Sequence, residues 1–248
     1  EQFLGTWLDS RHAPLGEPIV GSKWGYVYKA DWKVNAEVHE VKVHTRENLD
    51  RQYAESTELV GTHLRVYQIH SATPESGVLE NGEVLDRLAE LRDAGMVIGV
   101  STSGPDQATT IRRVLEIEMD GRLLFGSIQA TWNLLESSAG QALAEAAHAE
   151  LGVIVKEAVA NGRLTLRNRI IADRLRKVAP EWSPDAVAIA AGLHQPWSSV
   201  VLSGAATGDQ LASNLQALDV PREVTGQLPP FAEPPDEYWR TRGALPWH

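Results

Sequence analysis

Cysteine is absent from the 248 residues, which excludes disulfides, thiolate catalysis and cysteine-based zinc or iron–sulfur sites. The same absence suits a reducing compartment, and a cytoplasmic protein is expected. No apolar run approaches the roughly 20 residues that span a bilayer, and no basic, apolar leader opens the sequence, so no membrane partner is expected. Basic residues are outnumbered: 23 Lys and Arg against 33 Asp and Glu give a net charge of -10. No basic stripe is left to track a nucleic-acid backbone. An anionic small molecule is still compatible, because local Lys and Arg bind phosphate within an acidic protein. No linker or low-complexity tract precedes the proline-rich stretch 221–248. One domain over 1–248 is therefore expected, with 221–248 as a tail.

Short β-branched runs alternate with longer amphipathic stretches, the pattern of parallel βα units. Six units can be counted. Their strands are PIVGSKWGYV from Pro18, LRVYQIHS from Leu64, MVIGVSTSG from Met96, LFGSIQATWN from Leu124, GVIVKEAV from Gly152 and SVVLSGAA from Ser199. Each is nearly continuous in apolar residues and turns polar at its C-terminal end, as in strands buried on both faces whose tips carry a site. Helices are expected over Arg46–Val60, Leu79–Ala94, Pro105–Glu118, Ala139–Glu150, a double stretch from Asn168 to His194, and Gly208–Leu218. Pro105 and Pro184 sit where a proline opens a helix, and Gly95 closes one.

Six units do not close an eight-stranded barrel, and the first strand is not followed by the Gly-rich turn that a Rossmann fold needs. There is no initiator Met, and Glu1 to Leu8 reads like the middle of a helix. Two βα units, of about 25 to 40 residues each, are therefore expected to precede Glu1.

LVGTHLRVYQIHS, GSKWGY, GVSTSG, SIQATWN and VVLSGAATGDQLASNLQAL follow one another at strand tips and at helix starts. In this order they resemble the aldo-keto reductase family, over Glu1 to about Leu218. The resemblance implies an α/β fold, a (β/α)8 TIM barrel with six of its eight βα units in this chain. It implies an NAD(P)H-dependent oxidoreductase that reduces an aldehyde or ketone to an alcohol, a small carbonyl or alcohol being the partner. NADPH is the cofactor expected, with NADH the alternative. Lys23 then lowers the pKa of a catalytic Tyr, since a cation beside a phenol favours phenolate. His70 donates a hydrogen bond to the substrate oxygen as charge develops there. The family's Tyr and Asp belong to the stretch just before the helix that opens this chain, and Tyr26, Tyr28 and Asp31 do not take their roles.

Cofactor residues follow from the same resemblance. Ser101 and Gln129 match the positions that hold the nicotinamide carboxamide, with Thr102 where the family usually has Asn. Lys156, Glu157 and Ala158 stand at the seventh strand's end, where an aromatic commonly stacks on the nicotinamide; the Lys156 stem could cover the ring instead. Ser203, Gly204 and Ala205 lead into a helix whose N-terminus suits a phosphate. Asn214 matches an adenine contact, and Gln210 stands where many members carry an Arg for the 2'-phosphate. Trp24 and Trp132 follow site-bearing tips and either wall a substrate pocket or simply pack; Trp32, Trp182, Trp197 and Trp239 read as packing. No metal is expected: HEVKVH, from His39 to His44, lacks converging ligands. His12, His39, His44, His63, His148 and His194 read as structural. Two other readings fit the changed stacking position: a barrel of the same descent with a lyase or isomerase role, and a cofactor-binding regulatory subunit.

Overall fold

The structure, a computed structural model, describes residues 1–10, 18–30, 33 and 38–245. His12, Asp31 and Trp32 lie outside the described residues. The chain opens on α1 (Gln2–Ser10) and β1 (Val20–Trp24), followed by an antiparallel pair, β2 (Tyr26–Tyr28) and β3 (Glu40–Lys42). Next come α2 (Arg46–Val60), β4 (Leu64–Ala72), α3 (Gly82–Asp93), β5 (Val97–Thr102) and α4 (Gln107–Leu115). A second small pair, β6 (Glu118–Met119) and β7 (Arg122–Leu123), precedes β8 (Ser127–Thr131), α5 (Gly140–His148) and β9 (Gly152–Lys156). The remainder holds α6 (Arg169–Val178), α7 (Pro184–Leu193), β10 (Val200–Val201), α8 (Gly208–Leu215), α9 (Arg222–Gly226) and α10 (Pro235–Gly243).

The six strands expected from the sequence form one sheet in the order β1-β4-β5-β8-β9-β10. The pairings β1 with β4, β4 with β5 and β9 with β10 are parallel. Every residue of β8 is buried, and so are the last five of β5, which is why these segments are apolar without alternation. Gly99, inside β5, is small by necessity: a β-carbon there would collide with Ser127 Oγ and meet the Gln68 side chain at 3.0 Å.

Helix starts follow their capping chemistry. Thr45, Asn81, Asn168, Ser183 and Thr207 each accept a backbone N–H of the first turn through a side-chain oxygen, for α2, α3, α6, α7 and α8 respectively. Pro184 is the first residue of α7, as expected. Pro105 instead lies in a turn two residues ahead of α4, whose first helical residue is Gln107. The last strand keeps only Val200 and Val201 of the segment SVVLSGAA. The two antiparallel pairs and the helices α9 and α10 were not legible: strands of two or three residues carry no measurable period.

Contacts group the chain into two compact units. The first comprises Glu1–Thr102 and Arg113–Ser127, with Tyr67, Ile69, Leu88, Ile98 and Leu49 fully buried in its core. The second comprises Ser103–Arg112 and Ile128–Pro246, where Leu135, Leu164, Leu175, Val187, Phe231 and Tyr238 form a core cluster. Among the described residues, no helix is long and apolar enough to cross a membrane, and no group of three or more His, Asp or Glu could hold a metal.

Candidate functional site

In the first unit, Lys23 and His70 stand at the same end of neighbouring parallel strands. Lys23 pairs in register with Gln68 and Trp24 with Ile69, so His70 lies one step beyond Trp24 toward the C-terminal side. Burial pushes the Lys23 ammonium below its ordinary pKa, and among the described residues no carboxylate pairs with it. The His70 ring meets Tyr26 edge to face, with centroids 4.8 Å apart.

The chain bends immediately after His70. Ser71 has φ +56, and the β4–β5 register shifts between Ile69 and Ala72. The Ser71 N–H donates to Ser101 Oγ at 3.3 Å. Ser101 and Thr102 are both buried. Trp24 is buried as well, packed edge-on against His44 at 5.5 Å, so it serves this unit's interior.

In the second unit, Gln129 is buried within β8, while Trp132 stacks edge to face on Trp197 at 5.6 Å. A cavity of about 770 Å³ opens at the C-terminal ends of β9 and β10. Its wall carries Lys156, Glu157 and Ala158 from one tip; Ser203, Gly204 and Ala205 from the next; and Gln210 and Asn214 from α8. These eight residues are the ones that the sequence nominated after the fifth and sixth strands. Ser101, Thr102 and Gln129 are not on this wall.

Local bonding shapes the wall. Thr207 Oγ1 accepts from the Gln210 N–H at 3.2 Å, Gln210 Oε1 from the Ala206 N–H at 2.8 Å, and Ser203 Oγ from the Ala205 N–H at 3.3 Å. The loop thus satisfies several amides that a bare helix start would leave open, and Gln210 braces this loop. Asn214 accepts from Ser203 Oγ at 2.8 Å and donates to Asp185 Oδ2 at 2.9 Å. Glu157, at φ +56, pairs with Arg242 of α10 at 2.8 Å, and Lys156 Nζ lies 5.8 Å from the centre of the Trp239 ring. The tail therefore closes against the β9 tip through a helix, with Tyr238 OH accepting from Asn133 Nδ2 at 3.0 Å.

Sequence reasoning missed Arg167, Asp209 and Asn161 on the same wall. Asp209 sits within a motif that was singled out, and Arg167 in the basic stretch after β9. Their convergence depends on the fold.

Parallel βα units with polar strand tips, and a cavity at the last two, define an α/β scaffold of the kind whose sites lie beyond the C-terminal ends of its strands. The sequence profile of the aldo/keto reductase family matches residues 1–225, and the chain belongs to that family. An aldo-keto reductase from Bacillus halodurans, in its holo form, matches with TM-score 0.68 and 18% identity, covering 94% of this chain and 78% of that one. A Pseudomonas aeruginosa structure described as an aldo-keto reductase matches with TM-score 0.61 and 19% identity over 92% of this chain and 72% of its own. No curated protein matches the chain. The family fold is the (β/α)8 barrel, six of whose βα units are described here, and its members are oxidoreductases.

Proposed function

We propose that the chain is an NAD(P)H-dependent oxidoreductase that reduces an aldehyde or ketone to an alcohol in the cytoplasm. The cavity of the second unit carries the reading, because it gathers eight of the eleven residues expected to hold the dinucleotide, all but Ser101, Thr102 and Gln129, into a space of ordinary cofactor-site size, about 770 Å³. Lys156 and Arg167 supply positive charge on its wall, and the α8 start faces it. NADPH is the dinucleotide assigned, with NADH the alternative. Bound there, the reduced nicotinamide would supply the hydride.

The proton that completes the alcohol comes from the family's Tyr, which the resemblance places outside these residues; two of the chain's own residues prepare the oxygen for it. His70 donates a hydrogen bond to the carbonyl oxygen, stabilising charge that exists only in the transition state. Lys23 provides a half-buried cation at the neighbouring tip, where its field is screened less than at an open surface. Loops at the tips set the choice of carbonyl compound.

Fluorescence titration with NADPH and NADH, followed by an assay of benzaldehyde reduction, tests the reading. Saturable binding is expected, with turnover in a protein that supplies the family's Tyr and Asp together with these residues. His70→Ala should lower kcat roughly 100-fold while dinucleotide Kd stays within about twofold. Failure to bind either dinucleotide, or full turnover in His70→Ala, overturns the assignment. Binding without any carbonyl reduction points instead to the regulatory-subunit reading.

A further inference from the structure

We propose that Lys42 and His44 are positioning residues that aim the His70 imidazole by holding two consecutive backbone carbonyls, those of His70 and Ser71; this rests on reading His70 as the donor to the substrate oxygen. His44 Nε2 lies 3.0 Å from the His70 carbonyl oxygen. A carbonyl can only accept, so this ring nitrogen carries the hydrogen and Nδ1 is the acceptor. Lys42 Nζ donates to the Ser71 carbonyl at 2.8 Å. Ser101 Oγ takes the Ser71 N–H from a third side, at 3.3 Å.

The turn needs such holding. A serine at φ +56 is strained by about 1–3 kcal/mol, and such a conformation persists where its surroundings fix it. The β4–β5 register breaks between Ile69 and Ala72, so the ladder does not define the peptides on either side of Ser71. Side chains do. The orientation of these peptides sets the direction in which the His70 ring leaves the backbone.

The donors sit on a rigid mount. Tyr26 pairs with Lys42 across the β2–β3 hairpin, and Lys42 Nζ lies 5.7 Å from the centre of the Tyr26 ring, which also meets the His70 ring. Beyond the hairpin, the Val43 N–H donates to the Gly25 carbonyl at 2.7 Å, and Asn48 Nδ2 to the Val43 carbonyl at 2.7 Å. Gln52 of α2 bridges the Gly25 N–H at 2.9 Å and the Tyr26 carbonyl at 2.8 Å. The tip bearing Lys23 and the tip bearing His70 are thereby tied to one hairpin and one helix. A misplacement of about 1 Å at a catalytic group can slow a reaction by up to roughly 100-fold, so this bracing matters for rate more than for binding.

The test uses the whole protein with Lys42→Met and His44→Ala, and with His44→Gln, whose amide nitrogen can replace the lost ring donor. Proton–nitrogen correlation spectra of the histidine side chains report the His70 ring, identified by the cross-peaks that vanish in His70→Ala. Both disruptive variants should displace the His70 cross-peaks, and His44→Gln should return them toward wild type. With NADPH and benzaldehyde, kcat should fall about tenfold or more in the disruptive variants, KM should change less than about twofold, and His44→Gln should recover most of the loss. Should Lys42→Met fail to fold, Lys42→Arg, which keeps a donor, must retain wild-type cross-peaks. If the wild type reduces no aldehyde, the reductase reading fails while the ring displacements still decide the positioning role. Unmoved His70 cross-peaks in both disruptive variants, or a displacement in His44→Gln as large as in His44→Ala, overturn the proposal.

Discussion

Gly25 takes φ +125, and a β-carbon there would come within 2.5 Å of His44 Nε2. Its lack of a side chain therefore serves both the backbone and the ring that supports His70. Gly25→Ala combines an unfavourable backbone region with overpacking and should lose about 3 kcal/mol, read from urea unfolding. His44 itself titrates unusually: burial pushes its pKa from 6.5 down to about 4, against the opposing pull of the His70 carbonyl and with help from the Lys42 charge. Between those two values the unfolded chain binds the proton and the folded chain does not. The stability due to the neutral ring is thus complete above 6.5 and is lost as pH falls toward about 4. After discounting for partial solvent screening, wild type should lose about 1–2 kcal/mol more than His44→Gln when unfolding is compared at neutral pH and near the lower value. Equal losses in both proteins would show that His44 does not drive the acid sensitivity.

The long elements were legible because their periodicity and caps agree. Arg46–Val60 matches its expected span, with Thr45 capping it, and the strands from Leu64 and Gly152 begin where they were read. The β2–β3 hairpin was not, although it carries Lys42 and leads directly to His44, the donors that reach the His70 turn; the two alternate in HEVKVH like any edge-strand residues, and only the fold shows what they touch. The cavity wall was legible through the resemblance at eight positions, while Arg167 and Asp209 gave no signal of their own. Asp209 lies in the first turn of α8, where a carboxylate favours the helix but opposes a phosphate on the same wall. Asp209→Asn should tighten NADPH binding about two- to fivefold at low salt, with the gain shrinking as ionic strength rises. Thr207→Ala removes the acceptor of the Gln210 N–H and should cost about 1 kcal/mol of stability. Fluorescence titration and thermal unfolding of the two variants check these signs.

Ligand binding should be felt by the second unit, because the cavity belongs wholly to it. At NADPH concentrations near 100 times Kd, linkage predicts about 2.7 kcal/mol of stabilisation and a rise in Tm of roughly 5–10 °C. Hydrogen exchange should slow in the α8 segment before it slows in β1 and β4 of the first unit. Uniform slowing across the chain would mean that both units respond as one cooperative body.

The two units interleave in sequence, and this sets a schedule for the growing chain on the ribosome. Ser103–Arg112, the first piece of the second unit, is synthesised before Arg113–Ser127, which belongs to the first. Until that later piece emerges, the Ile98 carbonyl lacks the Gly126 N–H that meets it at 2.8 Å, and Glu80 lacks Arg113 at 3.1 Å. The N-terminal unit cannot mature as an independent early product, unlike domains that fold in order of synthesis. Nascent chains stalled just past Thr102 should stay protease-sensitive, with protection of the first unit arising only once Ser127 has cleared the exit tunnel.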